Sequence, residues 1–366
     1  MSLTRRTLVA GALTVSALSS SESGAEPARV IRLGRKIRLV MAGFEGHTGE
    51  ITDPLPQMPD VELAGVAGGQ ADFVKLVEKL RLAGVSALPR RYDSLEAMLA
   101  AEKPDVAAIC NTNGARADAI IYCAERRVHV IAEKPLAIDR VSFERVRNAV
   151  QQSGIELGLL LPMRFEPPFA ALKKIVDEGS IGEVIQVSGQ KSYKFDSPAW
   201  RRSRASYGST ILWIGIHVID LMRWTSGREL VDATGWQTRV GFPELKDQEN
   251  VSASVFRMDN GGLAILRMDF LRSRTAATHG DDRLRLAGTK GVAEYMAATG
   301  VTLLTDKSGL TTVEAASRRG SVLQDFLEGV YLKKARNITT SDIWRVNEIT
   351  LSAHESAAQG AKLLRI

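Results

Sequence analysis

The sequence is poor in several things, and each scarcity excludes something. Two cysteines, Cys110 and Cys123, occur in 366 residues. They are too few for a disulfide scaffold and stand in no metal-like spacing. There are five histidines, and His129, His279 and His354 show no ligand spacing, so no metal is expected. The net charge of +6 is spread along the chain, apart from Arg201-Arg202-Ser203-Arg204. Without a basic stripe or a recognised module, nucleic acid is not an expected partner, whereas small anionic ligands are. Beyond Leu18 no apolar run is long enough to span a bilayer. Internal repeats and long low-complexity linkers are also missing.

What is there is ordinary for a soluble globular protein. Hydrophobic residues make up 45 % and charged residues 25 %, and the length suggests two domains. The first thirty residues differ from the rest. Thr4-Arg5-Arg6-Thr7-Leu8-Val9 leads into an apolar, small-residue run, then a Ser-rich stretch and Ser23-Gly24-Ala25. This is the layout of an export signal, and the paired arginines resemble a twin-arginine signal. The expected location is periplasmic or secreted, or cytoplasmic if the signal is not used. No stable membrane span is expected after processing.

From Ile37 strands and helices alternate: strands Ile37 to Ala42, Val61 to Ala67, Asp105 to Cys110 and Val128 to Ala132, with helices Ala71 to Leu82, Leu95 to Ala101 and Ala117 to Arg126. Such alternation means βαβ units and a parallel sheet. A helix from Ser142 to Ser153 and a strand from Ile155 to Leu161 complete this α/β Rossmann-type domain, residues 31–160. In residues 161–366 the texture changes. Strands at Val184 to Phe195, Leu230 to Thr238, Val251 to Met258, Gly262 to Leu271, Asp282 to Leu286 and Val292 to Met296 follow one another with few helices between them. That pattern predicts an α+β domain on a large, open, mostly antiparallel sheet. Thr210 to Trp224 is the helical exception.

Two stretches carry chemistry. Gly43-Phe44-Glu45-Gly46-His47-Thr48-Gly49 follows a strand and opens a helix, where glycines let a backbone approach a pyrophosphate. The spacing departs from G-x-G-x-x-G at its second position. Glu133-Lys134-Pro135 closes a strand and delivers an amine over the carboxyl ends of the sheet, where ligands bind in open α/β folds. Candidate cofactor contacts are Gly43, Phe44, Gly46, His47, Gly68, Asn111, Asn113, Glu133, Lys134 and Arg164. The second strand ends in Ala67-Gly68-Gly69-Gln70, without the acid that would hold a ribose 2′-hydroxyl. That tilts the choice to NADP over NAD, with Lys75 the nearest cation.

Beside Glu133-Lys134-Pro135-Leu136-Ala137 stand Met163-Arg164-Phe165-Glu166-Pro167, Gly179-Ser180-Ile181-Gly182-Glu183-Val184, Gly215-Ile216-His217-Val218-Ile219-Asp220 and Gly288-Thr289-Lys290-Gly291. In this order and spacing, from about residue 35 to the end, they resemble the glucose-fructose oxidoreductase, inositol dehydrogenase and rhizopine-catabolism (Gfo/Idh/MocA) family. The resemblance implies hydride transfer between nicotinamide and a hydroxyl-bearing carbon of a sugar, sugar acid or polyol. His217 would accept the hydroxyl proton, and Lys134 would hydrogen-bond the same oxygen. Lys191, Tyr193, Trp213 and Asp220 are further substrate candidates, Lys191 and Tyr193 because alternate strand residues share a face. Arg164 would support the lysine loop or contact the nicotinamide carboxamide.

Three positions depart from the family. Trp213 stands where an aspartate is usual, one helical turn before His217, and could offer an apolar platform to a sugar. Asp220, three residues after His217, could orient the imidazole but reads more as structural. Arg116 replaces a histidine after Asn113. Three readings follow: an exported NAD(P)-dependent oxidoreductase carrying its own cofactor; a glycoside-cleaving or epimerising enzyme that uses bound nicotinamide without net redox; or a binding protein on the same scaffold. The bare sheet face predicts a homodimer or homotetramer.

Overall fold

The computed structural model describes residues 30–366 except Asp196 and Arg319, so the expected export signal lies outside the described residues. The first domain is built on six parallel strands: β1 (Ile37–Ala42), β2 (Val61–Ala67), β3 (Arg90–Tyr92), β4 (Val106–Ile109), β5 (His129–Ala132) and β6 (Leu157–Leu159). Their order is β3-β2-β1-β4-β5-β6. The order reverses between β1 and β4, which opens a crevice at the carboxyl ends of these two strands. Helices Gln70–Leu82, Asn113–Glu125 and Arg140–Ser153 are the main crossovers. β4 is buried along its whole length, as a strand covered on both faces must be. The helix after β5 starts where Asp139 accepts the backbone N–H of Ser142 at 2.8 Å and stops where Gly154 turns left-handed at φ +67°, both ordinary end signals.

The second domain is a nine-stranded sheet of β7 (Val184–Lys194), β8 (Leu230–Thr238), β9 (Val251–Met258), β10 (Leu263–Arg272), β11 (Gly280–Gly288), β12 (Gly291–Met296), β13 (Gly300–Thr305), β14 (Gly309–Val313) and β15 (Leu364–Arg365). The order is β14-β13-β12-β11-β7-β10-β9-β8-β15. All pairs are antiparallel except β7 with β10. β9 alternates strictly between exposed and buried residues, the mark of a sheet with one packed face. On the packed face lies helix Ile216–Ser226; a Cβ on Gly189 of β7 would strike Val218 of that helix.

The last long helix, Thr340–Ala358, packs chiefly on β8 of the second domain and also reaches the first. Asn347 accepts the backbone N–H of Leu136 at 3.0 Å, and Glu355 receives Arg140 at 3.0 and 2.9 Å. This helix therefore braces the chain just after Lys134. No helix among the described residues is long and apolar enough to cross a membrane.

Gly43 is the tightest point of the crevice. It holds φ +87°, and a Cβ there would collide with the backbone carbonyl of Cys110 at the end of β4. Gly43→Ala should cost roughly 2–3 kcal/mol, read as a lower urea midpoint with an unchanged m-value. A midpoint equal to wild type would mean that β1 and β4 can part at this point without loss.

Candidate active site

The glycine turn is shaped first by a carboxylate. Gly46 has φ +75°, and a Cβ there would collide with Glu133. Glu133 Oε1 accepts Nδ1–H of His47 at 2.6 Å and also its backbone N–H. Oε2 accepts the backbone N–H of Lys134 at 2.9 Å. Burial alone would raise the pKa of this enclosed acid, but His47, Lys134 and Arg116 outweigh it and hold it at about 2. The departure from G-x-G-x-x-G thus has a local cause: the second glycine makes room for Glu133. Glu45, two residues after Gly43, accepts a hydrogen bond from the Trp200 side chain. Burial raises its pKa, while Arg201 pulls the other way. The turn is thereby bonded to the second domain.

Lys134 leaves β5 and buries its amine against the second domain. Nζ donates to the Trp213 carbonyl at 2.6 Å and lies 3.3 Å from the centroid of the same indole. Trp213 belongs to a π-helical turn, Ile211–Gly215, that runs directly into the helix of His217. The indole that the sequence offers as a sugar platform carries the lysine amine against its ring. Trp200 meets it edge-on at 5.3 Å. His217 is buried, and its Nδ1 has no partner within the protein. Burial, then the charges of Lys134, His47 and Lys191, push its pKa well below the ordinary value, so the ring is neutral at physiological pH. The rings of His47 and His217 meet edge to face at 5.0 Å. His47, a cofactor-contact candidate in the sequence, thus touches the catalytic candidate itself.

The other candidates divide into two groups. Asn111 Nδ2 donates to the Ala115 carbonyl at 3.0 Å, and its Oδ1 is buried without a partner. The ring of Phe44 packs on Gly68. Lys191 and Tyr193 share the packed face of β7. The Lys191 amine binds Asp282 at 2.8 Å and Met163 Sδ at 3.2 Å. Burial opposes its charge, but Tyr193 and Asp282 prevail and raise its pKa. Asp282, which the sequence gave no reason to select, keeps Oδ1 buried and unpartnered.

Asn113, Arg164 and Asp220 have their polar groups committed within the protein. Asn113 donates to the Tyr207 carbonyl and accepts from Arg116, each at 2.8 Å. Arg164 grips Asp220 through Nε at 2.8 Å and Nη2 at 2.5 Å, and donates to the Asn337 carbonyl at 2.7 Å. The pair supports the helix of His217 and leaves little for a cofactor or substrate. Arg116 is buried and binds the carbonyls of Pro135, at 2.9 Å, and Asn111. It clamps the ends of β4 and β5 together. Its role emerges only from the fold, because two of these three acceptors are backbone carbonyls.

These residues fit a dinucleotide. The glycine turn and Asn111 border the crevice between β1 and β4, and the buried Asn111 Oδ1 and His217 Nδ1 lack protein partners; hydroxyl-rich ligands supply the complementary groups. Gly43 to His47, Gly68 and Asn111 would hold the nucleotide. Arg91, in the middle of β3, donates to the Gly68 carbonyl at 3.1 Å, a cation beside the ribose position that sequence spacing did not disclose. Among the described residues no cluster of three or more His, Cys, Asp or Glu could hold a metal ion.

Comparison with known proteins agrees with this geometry. Residues 37–158 match the oxidoreductase family with an NAD-binding Rossmann fold, and residues 169–294 match the GFO/IDH/MocA C-terminal domain. The uncharacterized oxidoreductase YrbE of Bacillus subtilis is 26 % identical over 70 % of this chain and 72 % of its own length. Myo-inositol 2-dehydrogenase of Thermotoga maritima is 25 % identical over 72 % of this chain and 77 % of its own. A solved Thermotoga maritima oxidoreductase structure superposes with a TM-score of 0.84 at 28 % identity, covering 90 % of this chain and all of that one.

Glu133 also links the site to stability. Its folded pKa of about 2 lies below the ordinary carboxylate value of 4.5, so it stabilises the fold above pH 4.5 and loses that contribution as pH falls towards 2. The full effect is about 3 kcal/mol. Glu133→Gln should flatten the stability profile in this window, measured by urea titrations at several pH values. A profile as steep as wild type would assign the acid sensitivity to other carboxylates.

Proposed function

Because the chain belongs to the GFO/IDH/MocA oxidoreductase family, we propose that it oxidises a hydroxyl-bearing carbon of a sugar, sugar acid or polyol with NAD(P), and that it does so after export. The observation that carries this reading is the meeting of Lys134 with the helix of His217. Lys134 comes from one domain and His217 from the other, both are buried, and the lysine amine is bound to the turn that precedes the histidine. A bound nicotinamide supplies the hydride acceptor. Lys134 and His217 orient the reacting hydroxyl and provide the acceptor for its proton. Glu133 fixes the lysine backbone, and Trp200 with Glu45 closes the second domain on the turn.

Export is supported by the Arg5-Arg6 signal pattern, whose pathway carries folded proteins with their cofactor inside. Free nicotinamide cofactor is scarce outside the cytoplasm, so the protein would retain its own. The NADP preference is supported by the missing acid at Gly68 to Gln70 and by Arg91 at the Gly68 carbonyl. Protein purified from the periplasm should release stoichiometric NADP or NAD on denaturation, identified by mass spectrometry. Lys134→Ala should lower kcat/KM for a polyol such as myo-inositol by at least about a hundredfold. An empty protein that binds neither nucleotide would sink the reading.

A homodimer or homotetramer is supported by the outer face of the second sheet. Val255 of β9 lies opposite Ile265 of β10, and both are exposed, as are Leu263 and Trp236. An apolar patch of this kind marks an association surface. Sedimentation should give at least twice the chain mass, and Ile265→Lys should reduce it; a wild-type monomer at micromolar concentration would refute the assembly.

A further inference from the structure

A buried lysine must keep a counter-ion or give up its proton. Among the described residues, the Lys134 amine has two close partners, the carbonyl and the ring face of Trp213. Neither is an anion. The one nearby carboxylate, Glu133, turns Oε1 to His47 and Oε2 to the lysine's own backbone N–H. The other groups acting on the amine are cations from three elements: Arg116 on helix Asn113–Glu125, Arg201 on the turn Ala199–Arg202 and Lys191 on β7. His47 and His217 complete the surroundings.

We propose, on the oxidoreductase reading above, that Trp213 makes Lys134 the proton acceptor of the reaction: its carbonyl aims the uncharged amine, and its indole face stabilises the ammonium once the proton has arrived. A carboxylate at this position would hold the ammonium before and after the reaction and so stabilise the resting state as much as the transition state. The indole interacts strongly with the charged form alone. His217 is neutral, and burial together with the charge of Lys191 disfavours its imidazolium, so it hydrogen-bonds the substrate oxygen without keeping the proton. As the carbon is oxidised, its C–H electron pair leaves as hydride to the nicotinamide. The O–H bond breaks, an N–H bond forms on Nζ, and the amine becomes an ammonium. In reduction the ammonium returns the proton. Burial, then the three cations, lower the lysine pKa well below its usual value against the pull of Glu133, in keeping with an amine free to accept.

Two measurements test this. The first needs neither cofactor nor turnover. With 13C-labelled lysine, the Cε signal absent from Lys134→Met identifies Lys134, and its pH titration reports the charge directly. Wild type should titrate clearly below the bulk lysines, W213D about one unit or more above wild type, and W213F close to wild type. The second is the pH profile of kcat with myo-inositol or whichever sugar is turned over: its lower limb should follow the same titration in wild type, W213F and W213D. A Lys134 signal that titrates with the bulk lysines overturns the proposal. So does a limb that stays fixed while the W213D signal moves, or one that persists in Lys134→Met. If no sugar is turned over, the oxidoreductase reading fails, while the NMR titration still decides whether Trp213 sets the charge of Lys134.

Discussion

The Glu133 carboxylate is the interaction on which the site depends. It joins three things that the chain delivers separately: the glycine turn after β1, the exit of β5 and a group of cations. One oxygen takes both donors of His47, and the other takes the backbone N–H of Lys134. Without a negative charge at this depth, the buried Arg116 would lose the main charge that opposes its burial. With it, that burial is tolerable and the lysine is fixed at its base while its tip is held from the other domain.

That other domain supplies support at two levels. Trp213 holds the tip of the lysine directly. Beneath it, Arg164 and Asp220 form a buried pair that extends to Asp342, which also binds Arg223. Removing one member of such a pair strands the other in a poorly solvated position. The network lies at the start of helix Thr340–Ala358, and the same helix caps Leu136 through Asn347. The residues after Lys134 and the helix of His217 are thus referred to one common brace.

Much of this was legible in sequence. Alternating strands and helices disclosed the parallel sheet because each strand is a buried apolar run, and Leu230–Thr238 and Val251–Met258 were read to the residue as strand-like runs joined by turn signals. β3, with two arginines and a tyrosine, carries no such pattern. Helix Asn113–Glu125 begins four residues earlier than expected because its first turn, Asn-Gly-Ala-Arg, reads as loop while its polar groups are in fact held by Tyr207 and Pro135. In the site, Lys134 and His217 were found from the motifs around them. The functions of Trp213, Arg116 and Asp282 were not, because they depend on partners between about twenty and ninety residues away or on backbone carbonyls, neither of which leaves a local mark.

The π-helical turn at Ile211–Gly215 makes the arrangement sensitive to chain length. A π turn accommodates one residue more than an α turn. Were the segment shortened by that one residue, each later side chain would swing round the axis by about 100°. His217 would leave the lysine, and Val218 would leave its place against Gly189 of β7. The angular phase between Trp213 and His217, rather than the identity of either alone, is what this extra residue maintains.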